Sequence, residues 1–215
     1  MPRITWGKPE HRAFEAGLDR GVLQVEGGEP VAWSGLVAIK ENASGGGVTP
    51  FYQDGFRRHN YVESKEFEAT LDALSYPDEF GACEGIVSDA AAVGLILDQQ
   101  PPETFNLAYR TGIGGALSSR PDDYKLHLVY NCTVGPAPRA YNTTSASVEL
   151  VTYSWTIVTV PRFDLTGAYP SAHFMVDSTI ADPAALSALE DVLYGTEETE
   201  PKFPTPPELR TILGG

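Results

Sequence analysis

A mainly β fold is what this sequence predicts: an antiparallel β-sandwich or partly closed barrel, flanked by one α-helix. Four segments, near 66–73, 105–111, 124–132 and 150–158, alternate apolar and polar side chains with a period of two. Turn residues punctuate the chain throughout, with 21 Gly and 17 Pro among 215 residues. Only one stretch, opening at Asp182, carries a full set of helix signals. Short strands with frequent turns and little helix are the composition of a sandwich or barrel.

Taken in order, residues 1–16 are polar and mixed, and read as an arm. Residues 21–25 and 31–39 read as two strands, with Glu26-Gly27-Gly28-Glu29-Pro30 supplying hairpin chemistry between them. Residues 41–60 are a long Gly-rich excursion containing Ser44-Gly45-Gly46-Gly47 and Asp54-Gly55, yet they retain Phe51, Tyr52 and Phe56. A floppy linker would not keep three aromatics, and long loops in compact domains are usually functional, so this one is a candidate grasping loop.

In the strand over 66–73, Glu66, Glu68, Thr70 and Asp72 alternate with Phe67, Ala69, Leu71 and Ala73, giving one acidic and one apolar face. The apolar run in 90–97 fits either a short helix or a buried strand, ended by Pro101-Pro102. Phe105, Leu107 and Tyr109 then oppose Asn106, Ala108 and Arg110. Tyr124, Leu126, Leu128 and Tyr130 oppose Lys125, His127, Val129 and Asn131. Leu150, Thr152, Ser154 and Thr156 oppose Val151, Tyr153, Trp155 and Ile157. Such strands suit a sheet with one side on a core and one side wet. A further strand over 172–177 precedes the helix. That helix has Asp182 as N-cap, Pro183 at its first position, a Leu186, Leu189, Leu193 stripe, and Gly195 to end it. One domain over 1–195 is expected, followed by an extended acidic, Pro-rich C-terminal extension over 196–215 that has room for a short helix near 208–213.

The charge narrows function. With 15 Lys+Arg against 29 Asp+Glu, the formal net charge is −14. A sequence-reading nucleic-acid binder needs a basic footprint, and this surface repels phosphate backbones. The longest apolar run, residues 90–97, is too short to cross a bilayer, which takes roughly 20 helical residues. The start of the chain has no apolar signal region, so neither a secretory route nor a membrane is expected. Cys83 and Cys132 read as small buried hydrophobes. His11, His59, His127 and His173 show no metal-ligand spacing, so no metal or other cofactor is expected.

Chemical motifs are weak. Gly81-Ala82-Cys83-Glu84-Gly85 matches a nucleophile elbow, but a turn precedes it where a buried strand is required. Gly112-Ile113-Gly114-Gly115 lacks the Lys-Ser/Thr of a phosphate loop and suits a hairpin turn better. Asp122-Asp123 and Glu197-Glu198 are adjacent carboxylates of the kind usually left solvated. No enzyme is expected. The polar strand faces fit the wet side of a sandwich or, if subunits form a ring, the negatively charged lining of a channel in which DNA slides without sticking.

The chain resembles the major tail proteins of long, non-contractile-tailed bacteriophages, the tail tube subunits. The stretches that carry the resemblance span nearly the whole sequence. They are AGLDRGVL (16–23), WSGL (33–36), SGGGVTPFYQDG (44–55), EFEATLDALSYPDEFGACEG (66–85), Gln99-Gln100, FNLAYRTGIG (105–114), YKLHLVYN (124–131), YSW (153–155) and LEDVLYGTEETEP (189–201). The resemblance implies a structural virion protein, made in the host cytoplasm and carried in the phage tail. It implies self-assembly into hexameric rings that stack into a tube, with long loops stapling neighbours. Implied partners are a tape-measure protein in the lumen, terminator and distal tail proteins at the ends, and double-stranded DNA in transit. On this reading Glu66, Glu68, Thr70, Asp72, Asn106, Lys125, His127, Thr152 and Ser154 line the lumen. Phe51, Tyr52 and Phe56 are inter-subunit anchors. A carbohydrate- or receptor-binding β-sandwich on a virion surface is the alternative.

Overall fold

A computed structural model of the chain describes residues 14–114, 123–141, 151–165 and 169–214. Most of the expected N-terminal arm lies outside them, as do Gly115, Asp122 and the first residue of the strand expected over 150–158. The described residues form β1 (Phe14–Val25), β2 (Val31–Trp33), β3 (Leu36–Gly45), β4 (Val48–Gln53), β5 (Phe56–Val62), β6 (Lys65–Ala73), α1 (Phe80–Cys83), β7 (Val87–Ser88), β8 (Ile96–Leu97), β9 (Phe105–Gly114), β10 (Tyr124–Val134), β11 (Tyr153–Thr159), β12 (His173–Asp177), α2 (Pro183–Tyr194) and α3 (Pro206–Leu213). The fold is mainly antiparallel β, as the alternation predicts.

One large sheet dominates, in the order β2-β1-β9-β10-β11-β6-β3, with β12 also pairing β10. Its end strands, β2 and β3, are consecutive in sequence, separated only by Ser34 and Gly35. A sheet whose opposite ends are joined by two residues has to curl, and this one curls without closing: no β2–β3 ladder forms among the described residues. The strand expected over 31–39 is therefore two strands meeting at a corner. Gly35 is required there, because a Cβ would lie 2.2 Å from the Ser75 carbonyl oxygen. Leu74 N–H donates to the Gly35 carbonyl at 2.9 Å and Trp33 Nε1 donates to the Ser75 carbonyl at 2.8 Å, which fixes the corner.

The sheet buries material on both faces. Its inner face holds Leu23, Trp33, Leu71, Phe105, Leu107 and Trp155, with Phe80 inserted from α1. Phe80 packs 4.6 Å from the Trp33 ring and 5.0 Å from the Trp155 ring. Trp155 Nε1 donates to Glu84 Oε1 at 2.6 Å, and Arg139 pairs with the other oxygen of Glu84, so the polar groups in this wall are satisfied. The outer face of β1, β9 and β10 carries a second core of Val22, Ala108, Leu126, Leu128 and Tyr130 under Leu186, Leu189 and Leu193 of α2. The α2 signals act as expected. Asp182 accepts from the Ala184 and Ala185 amides at 3.0 and 3.1 Å, and Gly195 ends the helix at φ 75°.

The expected short final helix forms as α3, and the segment after 195 packs back onto the body. Phe203 and Leu209 are buried in the second core, Lys202 N–H donates to the Val192 carbonyl, and the Tyr130 hydroxyl donates to the Pro204 carbonyl at 2.7 Å. The run in 90–97 is neither helix nor buried strand: β7 and β8 close an exposed excursion that leaves Val93, Leu95 and Ile96 in solvent.

Candidate functional site

The helices cover only half of the outer face. On β11, β6 and β3 that face is bare of any described element. Direct pairs place Ser154 opposite Asp72, Thr156 opposite Thr70, and Val158 opposite Glu68. On the other side Lys40 stands opposite Thr70, Asn42 opposite Glu68, and Ser44 opposite Glu66. Residues directly opposite share a face, so Glu66, Glu68, Thr70, Asp72 and Ser154 form one continuous polar surface. Exposed Thr152 lies just before β11. Lys40 Nζ bonds Asp72, and Asn42 Nδ2 donates to Thr70 Oγ1 at 3.3 Å. Three carboxylates against one ammonium leave the surface acidic.

Three residues expected on that surface are placed elsewhere. Lys125 and His127 lie on the inner face, because His127 pairs Tyr109 and Lys125 pairs Thr111, alongside Val129 and Leu107 of the inner core. The alternation of β10 is inverted relative to β6: its apolar positions, Leu126, Leu128 and Tyr130, point outward because α2 and α3 cover them there. His127 is only 3% exposed, and Lys125 pairs with Glu15 of β1. Asn106 is on the outer face but half-buried, donating to Gln24 Oε1 at 3.0 Å and accepting from the Asn131 amide at 3.1 Å.

The excursion over 41–60 is an ordered two-storey hairpin. Its lower storey extends β3 along β6 as far as the Gly45–Lys65 pair, and its upper storey is the β4–β5 hairpin. Asp54 and Gly55 take φ 53° and 79° at the tip, the left-handed pair that a two-residue type I′ turn demands. Every residue of β4 and β5 is exposed. Phe51, Tyr52 and Phe56 are 56, 66 and 68% exposed, and Tyr61 and Val62 add to the patch. Arg57 and Arg58, set against Asp54, make this hairpin locally basic on a chain of net charge −14.

A third feature escapes sequence reading altogether. His127 Nδ1 lies 3.0 Å from His173 Nε2, although the residues are 46 positions apart. Pairing of Val129 with His173 makes the two histidines diagonal neighbours on the inner face. Glu41 joins them from β3, with Oε1 4.0 Å from His127 Nδ1. Burial pushes the pKa of both rings down, to about 4, and for His127 the charge of His173 adds to this. No spacing signal could have disclosed the cluster, because it depends on β10 pairing β12 and on β3 reaching across the curl.

Of the candidate chemical motifs, the Cys83 elbow and the Glu197-Glu198 pair lie wholly within the described residues. Cys83 is fully buried in the inner core, and burial followed by the charges of Glu103 and Glu84 pushes its thiol up to about 12, so it carries no nucleophilic thiolate at neutral pH. Glu197 and Glu198 are exposed in the turn after α2, where the Glu198 amide donates to Thr196 Oγ1 at 3.2 Å. No described helix is long and apolar enough to cross a membrane.

No family model and no curated protein matches the chain. Among solved structures it is similar to the sheath/tube terminator of an extracellular contractile injection system (PVC) in its extended state, at 9% identity and TM-score 0.37, over 73% of this chain and 93% of that one. It is similar to the tube terminating cap of the anti-feeding prophage at 10% identity and TM-score 0.40, over 83% of this chain and 96% of that one. A chain of the anti-feeding prophage baseplate aligns at 9% identity and TM-score 0.38, over 82% of this chain and 96% of that one.

Proposed function

We propose that this chain is a structural subunit of a phage-type tail tube. Copies associate into rings, hexameric as the sequence resemblance implies, and the rings stack into a conduit for double-stranded DNA. The observation that carries this reading is the β4–β5 hairpin. A monomer does not gain stability by holding six large apolar side chains, Val48 among them, in water on a two-stranded arm. A second copy would cover them. Its acidic surface also complements Arg57 and Arg58, whereas a nucleic acid would be repelled by the rest of the chain. A hairpin meeting a different patch on the next copy is a heterologous contact, the kind that closes rings and extends tubes.

The bare acidic half-sheet then lines the lumen with Glu66, Glu68, Thr70, Asp72, Thr152 and Ser154. The outer edge of β3 is the natural junction with a neighbouring sheet, since a ten-residue edge that no described strand pairs is a template for strand addition. A negatively charged wall keeps DNA mobile, and before DNA passes it surrounds a tape-measure protein. Terminator and distal tail proteins would close the two ends.

Negative-stain electron microscopy of the purified chain across protein and salt concentration tests this. Hollow rings or tubes are expected at high concentration. Particles that stay single throughout and are captured by a glycan array would replace the tube with a carbohydrate-binding module.

A further inference from the structure

We propose that Glu41, His127 and His173 bind one zinc-class divalent ion, which clips β3 to β10 and β12 across the inside of the curled sheet. This site stands apart from the polymerisation reading and needs no second copy.

The donor atoms are already gathered. One ligand atom from each residue lies within 4.8 Å of those of the other two. Zinc–nitrogen bonds of about 2.0–2.1 Å at a tetrahedral angle put two ligand nitrogens roughly 3.3 Å apart. The 3.0 Å between His127 Nδ1 and His173 Nε2 is close to that, and the two imidazoles need only small shifts. Glu41 must travel further, from 4.0 Å, but its side chain is 43% exposed and has room to swing. The same exposure supplies an entry path and a fourth position for water.

The surroundings resemble those of a metal site. His127 Nε2 is 3.0 Å from Thr111 Oγ1, so a proton on Nε2 leaves the Nδ1 lone pair directed at the cluster. The Tyr109 ring stacks on His127 at 4.5 Å and 6°, and Phe67 packs on His173 at 4.4 Å, which holds both rings in place. The Tyr109 hydroxyl donates to Glu41 Oε1 at 3.4 Å and restrains the carboxylate. Without an ion, one ring N–H donates to the other ring. With one, His173 carries its proton on Nδ1 and offers Nε2. Two imidazoles and a carboxylate suit zinc and its first-row neighbours; calcium and magnesium, which take oxygen ligands, are disfavoured.

The test uses the untagged full chain, freed of metal with EDTA. Calorimetric titration with Zn²⁺ should give one ion per chain and a rise in Tm that EDTA reverses, while Mg²⁺ gives neither. Co²⁺ substituted at the site should show visible ligand-field absorption. His173→Gln and Glu41→Gln should each weaken Zn²⁺ binding at least ~10-fold, and Thr111→Val about 10-fold. Glu41 is exposed enough that its variant keeps the fold, which circular dichroism verifies. A chain that takes up no Zn²⁺, or takes it up with unchanged affinity in both the Glu41 and His173 variants, overturns the proposal and leaves a hydrogen-bonded histidine pair.

Discussion

Lys40 Nζ sits 2.6 Å from Asp72 Oδ2 and joins β3 to β6 across the bare face, while Ser154 Oγ donates to the other carboxylate oxygen at 2.6 Å. The hydrogen bond from Lys40, then that from Ser154, holds the Asp72 carboxyl below its ordinary value of 3.8. The folded state therefore releases this proton more readily than the unfolded state. The resulting stability is present above the unfolded value and is lost as pH falls through the folded one. Lys40→Met should return the Asp72 titration, followed by NMR, toward the ordinary value, with Ser154→Ala a smaller step in the same direction. Because Lys40 is exposed, the stability change should stay below about 1 kcal/mol. A titration unmoved by Lys40→Met would show that the pair does not persist in solution.

The protruding hairpin can be removed as a unit. Glu63 N–H donates to the Gly47 carbonyl at 2.9 Å, so these two residues can be joined with β4 and β5 excised. The excised chain should melt within about 0.5 kcal/mol of the parent, as expected for a change on exposed surface, yet form no rings or tubes. Arg57→Glu with Arg58→Glu should reproduce the assembly defect without shortening the chain. Tubes that form normally from either variant would remove the hairpin from the interface.

Charge reversal probes the lumen. Glu66→Lys with Glu68→Lys spares the Lys40–Asp72 pair and alters only the acidic face. Tubes of this variant should retain double-stranded DNA on a filter at low salt and release it as salt rises, whereas parent tubes retain none. Equal retention by both would place these carboxylates away from the DNA path.

Thiol chemistry reports on the inner core. Cys83 and Cys132 are both fully buried, and burial raises the pKa of each. Neither should react with a thiol-specific dye in the native chain at pH 8, and both should react once urea unfolds it. Rapid native labelling would mean that the core opens far more readily than its packing implies.

The strands and α2 were legible because each has a plain period: two in β6, β9 and β11, and the three-leucine stripe behind Asp182 in α2. The first half of β1 was not. Residues 14–20 are largely exposed, and irregular pairing with β9 around Asp19, with positive φ at Gly17 and Arg20, breaks the alternation. The Ser34-Gly35 corner was hidden because Val31 to Ile39 reads as one strand, and only the curl of the sheet splits it. The face of β10 was misassigned because both of its faces are buried, and a one-face reading has no means of choosing between them. Phe51, Tyr52 and Phe56 stood out because aromatics in a Gly-rich stretch contradict a linker, and all three are exposed on β4 and β5. The histidine pair did not stand out, since long-range pairing alone brings it together.

The order of the sheet has a consequence for synthesis. While the chain emerges from the ribosome, β1 has only the three-residue β2 to pair with, because its main partner, β9, begins at Phe105. At roughly 5–20 residues per second, β1 waits on the order of ten seconds for that partner. By then the β3–β6 hairpin, whose strands are close in sequence, can already have formed, but β6 in turn waits for β11. The second core completes last, since α2 and α3 lie at the C-terminal end. A nascent copy therefore presents its aromatic hairpin long before it has a finished body, and on the proposed assembly crowded polysomes are where premature contacts between copies would arise.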